Sequence, residues 1–392
     1  MRTASFSGLP AARGGRPLFP EGLPLARPSV PDVDALVEEL RDVLTSGVLT
    51  NGPRVRALEE AAAEFLAVRH AVAVSTCTAG LMLVLRGTGL TGDVIVPSFT
   101  FQATVHAVSW NGLRPAFADI DPETLTLSAA AAARATGMRT SAILATHTYG
   151  TPADVEDLTE AARQSGVRLF FDAAHAFGSR HGDRPVGRFG DAEVFSLTPT
   201  KPVVAGEGGI VATNDDELAA RVRRLRDYGK EDDYDVRVIG LNARLSELHA
   251  AVALASLRDL DERIEQRNEL ANGYRRALSD VPGISFPSVR PGDRSTYKDC
   301  TVLVDRGVFG LDAPSLAEGL AAEGVETRRY YSPPVHRTTA YRAVANGTRL
   351  PVTDQAAERV LTLPLWVGMK AGDAGRVAEA IERIRRGVQA TG

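Results

Sequence analysis

Hydrophobic and polar positions change their period several times along the chain, and the changes mark its organisation. The first thirty or so residues, LPAARGGRPLFPEGLPLARPSVP among them, are rich in Gly, Pro and Arg and carry neither a helical nor a strand period, which predicts an extended arm over residues 1–30. From Pro31 the pattern becomes helical: Val33, Leu36, Val37, Leu40, Val43 and Leu44 recur at helical spacing before a Gly- and Asn-containing loop from Gly47 to Arg54. The next two hundred residues alternate helical patterns with short apolar runs at Ala71–Val74, Val94–Pro97, Arg114–Ala118, Ala142–Thr146, Leu169–Phe171, Glu193–Ser196 and Gly209–Ala212. Such alternation predicts an α/β fold, a mostly parallel sheet flanked by helices on both faces. After the GLNARLSELHAAVAL segment a long charged helix is expected over Leu257–Leu278. The stretches around Thr301–Val304 and Leu316–Ala322 then alternate differently, as a smaller C-terminal α/β domain would. The expected division is an arm to residue 30, a large domain over 31–255 and a small domain over 256–392, and no internal repeat is visible.

Composition narrows the function classes. The chain has 392 residues, 44% hydrophobic and 24% charged, which is ordinary for a globular protein. A formal net charge of -4 offers no basic surplus for a phosphate backbone or an anionic membrane, so neither nucleic acid nor membrane is an expected partner. No apolar stretch approaches the roughly 18 residues of a membrane span and no secretory signal is apparent, so a cytoplasmic location is expected. Cys77 and Cys300, the only cysteines, lie far apart without metal-site spacing, and no metal is expected.

Candidate chemistry sits where apolar runs end. Gly87, Gly89 and Gly92 match the dinucleotide pattern G-x-G-x-x-G, but they follow the helical run Leu81–Leu85 and precede a strand, which predicts a helix-to-strand turn. A stronger signal is Ser75-Thr76-Cys77-Thr78-Ala79-Gly80 between strand Ala71–Val74 and the helix LMLVL. Small and hydroxylic residues there leave unpaired backbone N–H groups at a helix start, an anion site, although an N-cap explains the segment at least as well when it is taken alone. LFFDAAHAFG runs a buried strand into Asp172, where open α/β sheets bind ligands; a helix cap is the plain alternative. In EVFSLTPTKPVVAGEGGIVAT, Lys201 stands in a turn bounded by Pro199, Pro202 and the Gly206, Gly208, Gly209 cluster. A fixed and partly desolvated amine has the lowered pKa that attack on an aldehyde requires, where a solvated loop lysine does not. A phosphate cradle, an acid for a pyridinium nitrogen and an amine for an aldehyde together describe a pyridoxal 5′-phosphate (PLP) site.

With these residues in view, the sequence resembles the DegT/DnrJ/EryC1/StrS sugar aminotransferases, a branch of the fold-type I, aspartate aminotransferase-like PLP enzymes. The matching pieces run in order from about Leu49: VLTNGPRV, STCTAGL, VIVPSFTFQAT, FADIDPETLTL, HTYGTPADV, DAAHAFGS, FSLTPTK with GEGG, GLNARLSELHAA and TLPLWVGM. The resemblance implies that Lys201 condenses with the cofactor aldehyde and that Asp172 faces the pyridine nitrogen. It places Phe101 on the ring, His175 near the ring and its O3′, Thr78, Ala79 and Ser196 at the phosphate, and Asn242 at the phosphate of a neighbouring subunit in a homodimer with shared active sites. Cys77 departs from the small residue commoner there, and Lys201 excludes the dehydratase branch, which has His in its place.

The resemblance further implies ping-pong transamination, with pyridoxamine 5′-phosphate between the halves. L-glutamate would leave as 2-oxoglutarate, and a nucleotide-linked keto sugar would be aminated. The SLTPTK motif and the LPLARPSVPD approach look most like enzymes of natural-product deoxysugar (antibiotic) pathways acting on dTDP-4-keto-6-deoxyglucose. A 3-keto isomer or a cyclitol ketone stays open as substrate, and a non-catalytic PLP-fold regulator is the reading from another class. Tyr331 and His336, in YYSPPVHRTTAY, are candidates for the sugar side or simply a surface turn.

Overall fold

A computed structural model describes residues 9–29, 32–230, 235–370 and 372–389. The tip of the arm and Pro31, where the helical pattern starts, lie outside the described residues.

Seven strands build one sheet: β1 (His70–Val74), β2 (Asp93–Pro97), β3 (Arg114–Ala118), β4 (Thr140–Thr146), β5 (Arg168–Asp172), β8 (Ala192–Ser196) and β9 (Gly209–Thr213), with a short hairpin of β6 (Arg180–His181) and β7 (Arg184–Pro185) outside it. Their order is β1-β9-β8-β5-β4-β2-β3. β9 alone runs against its neighbours, pairing antiparallel with β1 and β8 while β8, β5, β4, β2 and β3 pair in parallel. Each apolar run expected from the sequence is one of these strands. They read as near-continuous apolar runs because both faces are covered: Ala71 and Ala73 point into one core, Val72 and Val74 into the other.

Helices α1 (Val33–Ser46), α2 (Pro53–Leu66), α3 (Cys77–Gly87), α4 (Gln102–Trp110), α5 (Ala129–Ala135), α6 (Val155–Ser165), α7 (Asp216–Leu225) and α8 (Glu247–Leu257) surround the sheet. α2, α5, α6 and α8 supply one core through Leu58, Ala132, Leu158 and Ala250, and α3, α4 and α7 the other through Leu81, Val105 and Leu218. The glycines 87, 89 and 92 form the turn between α3 and β2, as their context implied. The buried Glu247 carboxylate accepts the amides of Gly52, Arg54 and Val55 at 2.7–2.9 Å, so the LSELH segment caps α2 across some 195 residues of sequence.

The expected helix over 257–278 is interrupted at Arg258-Asp259: α8 ends at Leu257, and α9 starts at Leu260 and runs to Leu278. Leu260 and Ile264 belong to the large core, whereas Leu270, Tyr274 and Leu278 belong to a separate C-terminal core. The latter is built on an antiparallel sheet of β10 (Ile284–Ser285), β11 (Cys300–Val304) and β12 (Val360–Leu363) with α10 (Arg306–Phe309), α11 (Ala313–Ala322), α12 (Pro351–Arg359) and α13 (Asp373–Gln389). The arm is extended and packed: Phe19 and Leu23 are buried in this core, and the buried Glu323 carboxylate accepts the amides of Ala11 and Leu18 at 2.9 and 3.0 Å. No helix among the described residues is long and apolar enough to cross a membrane, and no cluster of three potential metal ligands occurs among them.

Candidate active site

Because β1, β4, β5 and β8 run the same way, their C-terminal ends share one edge of the sheet, and β9 begins at that edge opposite Val74 and Ser196. A cavity of about 370 Å³ opens there, at the position open α/β sheets use for ligands. Its floor is β5 with Asp172, one end is the start of α3, and the wall opposite comes from the C-terminal domain through Lys298, Asp299, Tyr330 and Tyr331.

The start of α3 supplies the anion-binding character. Thr76 is the N-cap, and its Oγ1 accepts the Ala79 amide at 3.0 Å. Thr76, Cys77 and Thr78 line the cavity, with Ser196 and Thr198 facing them, their hydroxyls 3.2 Å apart. Gly209 lets the helix start sit directly on β9, since a Cβ there would come within 2.7 Å of the Cys77 amide nitrogen. Cys77 packs inward, its thiol donating to the Val194 carbonyl at 3.5 Å.

Asp172 is buried, and both of its oxygens are held. Thr104 donates its hydroxyl to Oδ2 at 2.6 Å, and the Ala174 amide donates to Oδ1 at 3.1 Å. Since an ionised carboxylate only accepts, Thr104 must accept from Thr100 at 2.8 Å, and Thr100 from Thr146 at 3.1 Å, a buried ladder of hydroxyls ending on the carboxylate. Burial pushes the Asp172 pKa up, the Thr104 and Ala174 bonds pull it back, and the Lys201 and His147 charges assist them. Behind Asp172, His147 stacks on Phe171 and is fixed by Glu193 at 2.9 Å and the Ala153 amide at 2.8 Å. A buried carboxylate so braced is built for a cationic N–H partner.

Lys201 stands in a closed turn. Its amide bonds to the Thr198 carbonyl at 3.0 Å, and Leu197 exchanges backbone bonds with Ala205 and Gly208 at 2.8 and 3.0 Å. Burial, aided by the Lys298 charge and opposed by Asp299, Cys77 and Asp172, brings its pKa down to about 8. His175 is held neutral, since burial first and then the charges of Lys201, Lys298 and Arg267 push its pKa well below the usual histidine range. Its Nδ1 is buried without a hydrogen-bond partner, 3.9 Å from Asp299 Oδ2, which is likewise unpartnered.

Of the residues singled out from the sequence, Thr78, Phe101, Asp172, His175, Ser196, Lys201 and Tyr331 meet in this cavity. Phe101 is 51% exposed at the start of α4, and Tyr331 stacks on Tyr149 with ring centres 6.1 Å apart. Ala79 lies one step behind the lining, its amide taken by Thr76. Asn242 is exposed outside the cavity, where Arg244 donates to its Oδ1 at 3.3 Å. His336 corrects both readings offered for it, lining residue and surface turn: it is buried away from the cavity, with Nδ1 2.6 Å from the Ser98 hydroxyl and Nε2 3.2 Å from Asp354. Sequence reasoning missed Thr104, Lys298, Asp299 and Tyr330. Thr104 lies within the quoted VIVPSFTFQAT segment, but its contact with Asp172 spans 68 residues and leaves no local mark.

The residues fit the implied cofactor. A nucleophilic amine, a braced buried carboxylate, a hydroxyl-lined helix start and the unpartnered His175 Nδ1 all converge on one cavity. Comparison with known proteins agrees. The model of the DegT/DnrJ/EryC1/StrS aminotransferase family matches residues 32–382. Among solved structures, DesI in the presence of its TDP-sugar product is 41% identical, covering 99% of both chains with a TM-score of 0.92. DesV of S. venezuelae, in complex with a ketimine intermediate, is 35% identical over 93% of this chain and 99% of its own, with a TM-score of 0.83. The aminotransferase TlmJ of Streptoalloteichus hindustanus is 33% identical over 93% and 98%, with a TM-score of 0.85. The chain therefore belongs to the DegT/DnrJ/EryC1/StrS aminotransferase family and is a PLP-dependent sugar aminotransferase of fold type I.

Proposed function

We propose that the chain aminates dTDP-4-keto-6-deoxyglucose at C4, with L-glutamate as amino donor, on a deoxysugar pathway. The similarity to DesI, continuous over 99% of both chains and solved with a TDP-sugar product, carries this reading. Bound PLP supplies an electron sink for the carbon that loses a proton. Asp172 holds the proton on the ring nitrogen, braced by Thr104 and the Ala174 amide. The Lys201 Nζ would hold the cofactor through its aldehyde carbon and, as a free amine, would take the proton from the donor Cα. In the second half it returns a proton to sugar C4. An amine with a pKa of about 8 suits both directions, since its two protonation states are close in energy near neutral pH. Thr78, Ser196 and the α3 start would hold the phosphate, Phe101 would cover the ring, and neutral His175 would offer a hydrogen bond at the ring edge.

Incubating the holoenzyme with glutamate and dTDP-4-keto-6-deoxyglucose, and reading products by mass and NMR, tests the substrate. Expected are 2-oxoglutarate and an amine at C4. Turnover of a 3-keto isomer or a cyclitol ketone in its place would overturn the choice.

The assembly belongs to the same reading: a homodimer in which Asn242 of one subunit reaches the phosphate of the other. Supporting it, Asn242 is exposed beside Leu241 and Ile239, and Val33, Val37 and Leu44 of α1 are uncovered within this chain at 59, 45 and 60% exposure. Apolar surface of that extent belongs under a partner. Mixing inactive Lys201→Ala subunits with inactive Asn242→Asp subunits should restore activity, because a hybrid dimer holds one site with both residues intact. Hybrids that form and stay inactive would place Asn242 at the site of its own subunit.

A further inference from the structure

Ping-pong transamination sets one cavity a conflicting task. It must receive an amino acid, whose carboxylate needs a cation, and then a keto sugar ring that has none. Among the described residues lining the cavity, only Lys201 and Lys298 are cationic side chains, and the reaction engages Lys201. His175 is neutral, and Arg267, buried behind the wall, donates from Nε and Nη2 to the carbonyls of Thr296, Tyr297 and Lys298.

We propose that Lys298 receives a carboxylate of the amino-acid donor and that Asp299 neutralises Lys298 whenever the keto sugar occupies the site. Lys298 is 8% exposed, and its Nζ lies 5.4 Å over the Tyr330 ring and donates to Asp299 Oδ1 at 2.7 Å. An ammonium has three donors, and the other two find no protein acceptor among the described residues, so a carboxylate entering from the cavity can bond without displacing Asp299. The Arg267 bond to the Lys298 carbonyl, 2.7 Å, pins the backbone and with it the direction of the side chain. A lone buried lysine would be left uncompensated when 2-oxoglutarate departs, a state that is strongly unfavourable; the adjacent Asp299 makes the wall a neutral pair that an uncharged ring can approach. The sharing of one cavity by a free carboxylate and the uncharged ring of a nucleotide sugar is thereby assigned to two consecutive residues, Lys298 and Asp299.

The inference rests on the reading that an amino acid is the donor. Its test uses holoenzyme carrying Lys298→Gln, Lys298→Arg or the paired Lys298→Met/Asp299→Leu, the last removing both charges so that no orphan is buried. Steady-state kinetics with each substrate varied, and calorimetric binding of glutarate, an unreactive dicarboxylate, are the readouts. The glutamate KM and the glutarate Kd should rise roughly 10- to 100-fold in Lys298→Gln and in the paired variant, and less in Lys298→Arg. The keto-sugar KM should rise by a clearly smaller factor than the glutamate KM in the paired variant. Equal rises in both KM values, or glutarate binding unchanged by loss of Lys298, would overturn the assignment. A wild-type enzyme that aminates the keto sugar from a simple amine but from no amino acid would overturn the donor reading beneath it.

Discussion

Lys201→Ala is expected to lose transamination by about 10³-fold or more while keeping its fold. The turn that carries Lys201 is closed by backbone bonds of Thr198, Leu197, Ala205 and Gly208, none of which involves the lysine side chain. Truncation therefore removes the amine and leaves the loop. It also removes a cation that burial disfavours, so thermal stability should be unchanged or slightly raised. The kinetic loss follows from acid–base arithmetic as well as from the lost covalent link. At pH 7 an amine of pKa about 8 is free in about a tenth of molecules, whereas one at the ordinary 10.5 is free in about three per ten thousand. Of the nearby groups lining the cavity, Asp172 is committed to Thr104 and Ala174 and His175 is oriented toward Asp299, so neither takes over the place of the Lys201 amine. The purified variant should lack the visible band that borohydride bleaches in the wild type, and single-turnover mixing with glutamate should show no fast phase. Wild-type turnover in Lys201→Ala would remove the lysine from the mechanism.

The parts of this molecule that could be read from its sequence share a physical feature, local signal. Strands such as Val94–Pro97 and Glu193–Ser196 are covered on both faces, so almost every residue is apolar and the run stands out against its polar flanks. Asp172 and Lys201 were legible because each interrupts such a pattern, one at the end of a strand and one inside a proline- and glycine-bounded turn. The reversed direction of β9 was not legible, because Gly209–Thr213 is as apolar as its parallel neighbours and direction is set by pairing with β1 and β8. The arm carried no period because it is anchored by isolated side chains, Phe19 and Leu23, and by its backbone amides on Glu323. α1 was legible as a helix from its period, but a period does not say what covers it, and within one chain Leu36 and Val43 are its buried residues. Lys298 and Asp299 enter the cavity from the residues just before β11, Lys298 lying 97 positions beyond Lys201, and nothing next to them in the sequence distinguishes a buried pair from a solvated one. His336 was not legible because what holds it is remote in sequence: its hydrogen bond with Ser98 and its close approach to Asp354 place it between the end of β2 and α12.

Asp172→Asn carries the second large effect, and it separates charge from shape. Asparagine fills the same volume and can still accept from Thr104 or the Ala174 amide, so the fold and the ladder of hydroxyls from Thr146 through Thr100 persist. What is lost is the negative charge beneath the ring nitrogen. A charge-assisted hydrogen bond of this kind contributes about 1.5–3 kcal/mol, one to two decades at about 1.4 kcal/mol per decade. The loss in turnover should exceed that in cofactor affinity, because the proton on the ring nitrogen matters most when electrons flow into the ring, whereas the α3 start and Ser196, proposed to hold the phosphate, are unchanged in the variant. Turnover is therefore expected to fall by roughly a hundredfold or more while PLP affinity falls by no more than about tenfold. Equilibrium dialysis of PLP against steady-state turnover on the same preparations separates the two. A variant that loses cofactor in proportion to activity would mean that Asp172 chiefly anchors the ring, and unchanged turnover would reduce it to a cap on the Ala174 amide.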